Sequence, residues 1–222
     1  MADENLNVSK LVLIPALITL GVTVLRLVGE LNHWNPSLFN RAAGGGGALI
    51  GISWLALVFA VYFAVRLQNE GFGPERAGAA VGYTLLAVAA MIAGIFVFFF
   101  FGVHKSMRPM IWVGLAIMAA ALWMMRRAWP AYWKVMMAYA LWARVPVIVV
   151  MFFAIQGHWG THYDVVPPSG DVWGTDWFRK WLEIGVIPQL FIWIPYTVVL
   201  CALLGVIVAA VRKGTRQAHA SA

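Results

Sequence analysis

Charge and cysteine are what this chain has least of. Only 11% of its 222 residues are charged, and Cys201 is the single cysteine. A soluble domain carries about a quarter charged residues. With 62% hydrophobic residues and a mean hydropathy of +0.80, a chain this short has too little interior to hide its apolar side chains from water. The class is integral membrane, and one domain is the natural count. One thiol excludes an intrachain disulfide, and no CxxC or Cys/His zinc spacing is present, so Cys201 reads as a small packing residue. No Lys-Ser/Thr follows Gly44 to Gly47, which removes a phosphate-binding loop, and no His-Glu-x-x-His occurs. No internal repeat stands out, so an inverted-repeat transporter gains no support.

The net charge of +7 is not a nucleic-acid signal. Lys and Arg sit in short clusters between apolar runs, with no basic stripe to cradle phosphates. Contact with anionic lipid headgroups explains them. The expected partner is therefore the lipid bilayer and not nucleic acid, with a membrane-protein partner or a homo-oligomer left open.

The apolar runs predict an all-α polytopic bundle of six transmembrane helices, over about 10–30, 48–67, 77–103, 109–125, 132–156 and 183–211. Each approaches the ~20 residues that cross the hydrocarbon. The polar start, MADENLNVSK, lacks the basic stretch and cleavage site of a signal peptide, so the first run is expected to be a true span. Gly78 and Gly82 form a small-xxx-small pattern suited to close helix packing. The longest loop, 157–180, is centred on Pro167-Pro168-Ser169-Gly170. It ends in Trp173, Trp177, Phe178 and Trp181 around Arg179 and Lys180, an interfacial aromatic belt, part of it expected as a short helix in the membrane plane. With cytoplasmic termini, the inside carries Lys10, Arg66, Arg76, Arg126, Arg127, Lys134, Arg212, Lys213 and Arg216. The outside carries Arg26, Arg41, Lys105, Arg108, Arg179 and Lys180. The bias favours cytoplasmic termini in a bacterial inner membrane.

That topology gathers His33, His104, His158 and His162 on one face, with Glu30 and Asp164; only His219, in the tail, falls elsewhere. Four imidazoles and two carboxylates at one level form a candidate N/O ligand set for zinc, copper or iron, with His158 and His162 as its nucleus. Histidine is also common at interfaces, where its polar tip meets water. Gly157 and Gly160 mark the His158–His162 stretch as a loop, where spacing fixes no geometry. Arg144 lies near the middle of the fifth span, too deep to snorkel easily. An arginine there costs on the order of 3 kcal/mol and is expected to face the bundle interior. Arg26 stands one turn before Glu30, so those two can neutralise each other. Pro146 frees a carbonyl near Trp142, a candidate acceptor for Arg144. Arg144 reads either as a tie between helices through backbone carbonyls, or as an anion or headgroup site or part of a water-filled path.

Lys105, Arg108 and Pro109, with Pro168-Ser169-Gly170, partly resemble the type 2 phosphatidic-acid phosphatases. Asp171 stands where that family needs histidine, and its third motif is absent, so that activity is rejected. Leu31-Asn32-His33-Trp34-Asn35-Pro36, with Arg41, the glycine run and the stretch from His158 to Pro168, resembles segments of uncharacterised multi-pass membrane proteins of bacteria. The resemblance implies a bacterial membrane and no activity. The expected function is a binding or accessory protein with a His/Trp-rich cap. A metal- or haem-dependent enzyme using the histidines, and a small transporter with Arg144 in its path, are the alternatives.

Overall fold

The computed structural model describes residues 6–45, 48–166 and 176–220. The loop centre at Pro167–Gly170, together with Gly46, Gly47, Asp171, Trp173 and the His219 side chain, lies outside the described residues. Six principal helices follow in order: α1 (Val8–Leu31), α2 (Leu55–Asn69), α3 (Ala77–His104), α4 (Arg108–Ala128), α5 (Pro130–Gly157) and α6 (Trp177–Gly214). There is no strand among the described residues. All but α2 are long and apolar enough to cross a membrane. The protein is an all-α polytopic bundle, and residues such as Leu13, Ile14, Leu86, Ile92 and Trp142 point outward as a bilayer-facing surface.

Two elements differ from the pattern of apolar runs. Helix α2 begins at Leu55, and residues 48–54 fold as bends and turns. Its 15 residues reach about 22 Å, short of the ~30 Å hydrocarbon. Gly51 is buried in the preceding segment, and Trp54 Nε1 donates to the Leu49 carbonyl at 3.1 Å. Irregular backbone at such a level persists only where protein covers it or where it lines a cavity. The second difference is that Trp177, Phe178 and Trp181 belong to the start of α6 rather than to a separate short helix. Asp176 caps this start by accepting from the Phe178 and Arg179 amides at 3.2 and 3.1 Å. Pro188 and Pro195 lack amide donors, and π-helical stretches at Trp181–Val186, Gln189–Trp193 and Tyr196–Leu200 surround them. Another π-helical stretch, Val97–His104, ends α3.

The close helix contacts fall on glycines other than Gly78 and Gly82, which have nothing within 4 Å of where a Cβ would stand. Helix α3 packs chiefly on α4, where a Cβ at Gly114 would lie 2.7 Å from the Phe98 amide nitrogen and 2.8 Å from the Gly94 carbonyl oxygen. At the α2–α6 contact, Gly205 leaves room for the Tyr132 hydroxyl to donate to the Ala60 carbonyl at 2.8 Å. Helices α1 and α5 share a polar seam. There the Thr19 hydroxyl and Tyr139 hydroxyl lie 2.9 Å apart, and Thr19 and Thr23 donate to the carbonyls one turn back. Such hydroxyl bonds contribute about 0.6–2 kcal/mol between helices in lipid. At the far end of the bundle, Trp129 Nε1 donates to the Phe72 carbonyl at 2.7 Å and Gln68 Nε2 to the Ala209 carbonyl at 2.7 Å.

These contacts predict an asymmetric response to leucine. Gly114→Leu meets backbone that cannot yield, and should lower the thermal midpoint in detergent by the equivalent of about 3 kcal/mol or abolish folding. Gly78→Leu should leave the midpoint unchanged. Equal effects at the two positions would contradict this packing.

Candidate functional site

The site begins on α1 with two residues one turn apart. Arg26 Nε donates to Glu30 Oε1 at 2.7 Å, and the Glu30 side chain is fully buried. The loop after α1 then turns back on the helix. Phe39 packs on Gly29 so closely that no Cβ would fit there, and this brings the Asn40 carbonyl to Arg26 Nη2 at 3.0 Å. From the loop after α5, the His162 amide donates to Glu30 Oε2 at 2.8 Å, and its Nδ1 lies 2.6 Å from Oε1. That second approach is an ion pair only when the imidazole is protonated. One buried carboxylate thus gathers a helix and two loops.

Asp164 builds the loop that presents His162. Its carboxylate accepts from the Gly160 amide at 2.9 Å, the Thr161 amide at 2.7 Å and the Thr161 hydroxyl at 2.8 Å. Thr161 and Tyr163 are buried, and the Tyr163 hydroxyl points at the Thr23 carbonyl, 3.4 Å away.

The other three histidines do different work. His33 follows the Asn32 cap of α1 and His158 caps α5, each with positive φ, 54° and 51°, and both are exposed. They occupy the left-handed position that ends many helices. His104 ends α3, stacked on Phe100 with centroids 5.9 Å apart. Among the described residues, no three His, Cys, Asp or Glu side chains converge as a metal ligand set. Of the six polar residues on this face, the structure brings together Glu30 and His162, with Asp164 shaping the loop behind them.

Beneath this knot lies a cavity of about 370 Å³, within the range of small-molecule sites, about 300–1,000 Å³. Thr23, Arg26, His162 and Tyr163 form one end, and Arg144, Gln189 and Trp193 line it deeper in the bundle. Apolar residues such as Phe98, Val147, Met151, Ile184 and Ile192 make most of the wall, with Glu183 and the irregular Ile52–Ser53 segment at its side. Arg144 is 4% exposed, and its guanidinium carbon stands 4.8 Å from the Trp193 ring centroid. Its Nε is buried without a hydrogen-bond partner, and no carboxylate oxygen comes within ion-pair distance among the described residues. The Trp142 carbonyl freed by Pro146 is therefore not its acceptor; Trp142 itself lies on the outer surface, 65% exposed. Arg144 is held by a cation–π contact, worth ~2 kcal/mol when desolvated, and presents its charge to the cavity.

Two outcomes follow. Glu30→Leu leaves Arg26 buried without its carboxylate and should cost about 3–5 kcal/mol. The double change Arg26→Met with Glu30→Leu should recover part of that loss, while amide exchange at residues 161–163 stays fast in both. The imidazole of His162 faces Arg26, Glu30 and Asp164. Burial pushes its pKa down, Arg26 adds to this, and Glu30 opposes it. In the window between that lowered value and the unfolded value near 6.5, the unfolded chain binds more protons, so stability rises with pH. The contribution is complete above about pH 6.5 and is lost as pH falls below it. Amide protection at 161–163 should decline from pH 7 to pH 5, and His162→Gln should remove that dependence.

No protein-family model, curated protein or solved structure matches the chain, and the reading of the site rests on its geometry.

Proposed function

We propose that this protein is a binding protein of the bacterial inner membrane that holds a small anionic ligand in the cavity between α1, α3, α5 and α6. The observation that carries the reading is Arg144, a buried guanidinium with no carboxylate partner among the described residues, on the wall of a ligand-sized cavity. An unneutralised cation in the low dielectric of a membrane interior is costly. A bound anion removes that cost, and a guanidinium offers the planar donors that carboxylates and phosphates accept from. The irregular backbone of residues 48–54 fits the same reading, because such backbone belongs beside a cavity. The loop held by Glu30 forms a cap over the site. With cytoplasmic termini, favoured by the distribution of Lys and Arg, the cap faces outward.

The test is the ligand content of the purified protein. Solvent extraction and mass spectrometry should find an anionic small molecule at near-stoichiometric level in the wild type. Arg144→Met conserves much of the side-chain volume and should lose that molecule while keeping its thermal midpoint within a few degrees. Equal contents in the two proteins would overturn the reading.

A further inference from the structure

The cavity's surroundings say more about the ligand than its charge. Arg144 lies 14 residues after the start of α5 at Pro130 and 13 before its end at Gly157, about 20 Å from either end at the helical rise. Its charge is therefore near mid-membrane, where a freely hydrated ion has no easy route. Around it most of the wall is aliphatic and aromatic, with Ser53, Glu183 and Gln189 among its polar residues, and that apolar share matches a hydrocarbon chain better than a hydrated ion.

One residue joins this cavity to the membrane. Phe99 lines the cavity and also lines a shallow apolar groove on the lipid-facing side of α3, formed with Ile92, Ile95, Phe96, Phe100 and His104. Phe99 is 48% exposed, while its neighbour Phe98 is buried at 9%. Both belong to the π-helical stretch Val97–His104. The i→i+5 pattern is rare, and it turns side chains away from the register of an ordinary helix. Here it sets one aromatic ring between the cavity and the bilayer.

We infer that the ligand is a single-chain amphiphile with an anionic oxygen headgroup, which reaches the cavity sideways from the bilayer past Phe99 and pairs its headgroup with Arg144. This inference rests on the binding function proposed above and specifies its ligand. The headgroup takes the guanidinium, with the Gln189 amide on the same wall. The chain lies along Phe98, Ile184 and Ile192 and leaves toward the groove. A volume of about 370 Å³ sits at the lower end of small-molecule sites and suits one acyl chain rather than two. A free fatty acid and a lysophospholipid with a terminal phosphate share this chemistry.

The experiment uses the full-length protein in detergent, stripped of endogenous lipid, with binding followed by native mass spectrometry. The probes are hexadecanoate, hexadecanol, palmitoyl lysophosphatidate, dipalmitoyl phosphatidate and inorganic phosphate. Hexadecanoate or palmitoyl lysophosphatidate should bind saturably at one per chain, and whichever binds more tightly identifies the source of the headgroup. Hexadecanol should bind at least about tenfold more weakly, as expected for loss of a charge-assisted hydrogen bond. Arg144→Met should weaken the anionic probe by a similar factor, and Arg144→Lys should restore part of the loss. Phe99→Ala should speed exchange of bound hexadecanoate with vesicles and Phe99→Trp should slow it.

Saturable binding of phosphate alone would overturn the amphiphile and leave the anion-binding function standing. Binding of dipalmitoyl phosphatidate in preference to the single-chain probes would overturn the single chain. Exchange rates indifferent to both Phe99 changes would overturn the sideways path. Failure of every anionic probe to distinguish wild type from Arg144→Met, with both proteins folded, would remove the binding function itself.

Discussion

The Glu30 carboxylate is the point on which the capped end of the bundle depends. It is buried at the end of a membrane helix, where an ionised group is tolerable only if its oxygens are engaged. Arg26 supplies the charge from one turn below, and the loop after α5 supplies a backbone amide and an imidazole. The Arg26 guanidinium in turn reaches Asn40 in the loop after α1. The same carboxylate therefore ties both loops to α1. The cavity takes its upper boundary from the same residues.

A second buried arginine makes the contrast that gives the protein its functional character. Arg26 is neutralised within its own helix, and its environment is a finished ion pair. Arg144 has an indole face and no carboxylate partner among the described residues, and in the function proposed above an anion completes its environment. A structural tie would be expected to use its donors on backbone carbonyls, and Arg144 does not. Its neighbours Val147 and Met151, one and two turns on, belong to the apolar wall. The same face of α5 therefore supplies both the charge and the apolar surface that a headgroup and its chain require.

Much of the fold was legible because lipid imposes a length and a composition on every crossing. Runs at 77–103, 109–125 and 132–156 correspond to α3, α4 and α5. The second run did not become a full helix, since composition reports that a segment is apolar and not that it will hydrogen-bond as a helix. Gly51 and Ser53 sit where the chain bends. The small-residue pattern at Gly78 and Gly82 was the more conspicuous, yet close approach occurs at Gly94 and Gly114. Those two residues lie on different helices, and no spacing rule within one helix could pair them.

By itself the sequence determined the class of the protein and the pairing of Arg26 with Glu30, which follows from their position on one helix. The tertiary structure decided which of the histidines matter together. His33 and His158 end helices, His104 lies against Phe100, and His162 reaches the buried carboxylate. It also decided that Arg144 faces a cavity, and that Phe99 lines both that cavity and the outer groove on α3. The division has a physical origin. Hydrophobicity and helical periodicity act along the chain and can be read from it. A cavity is made of what neighbouring helices leave unfilled, and it exists only once they are packed.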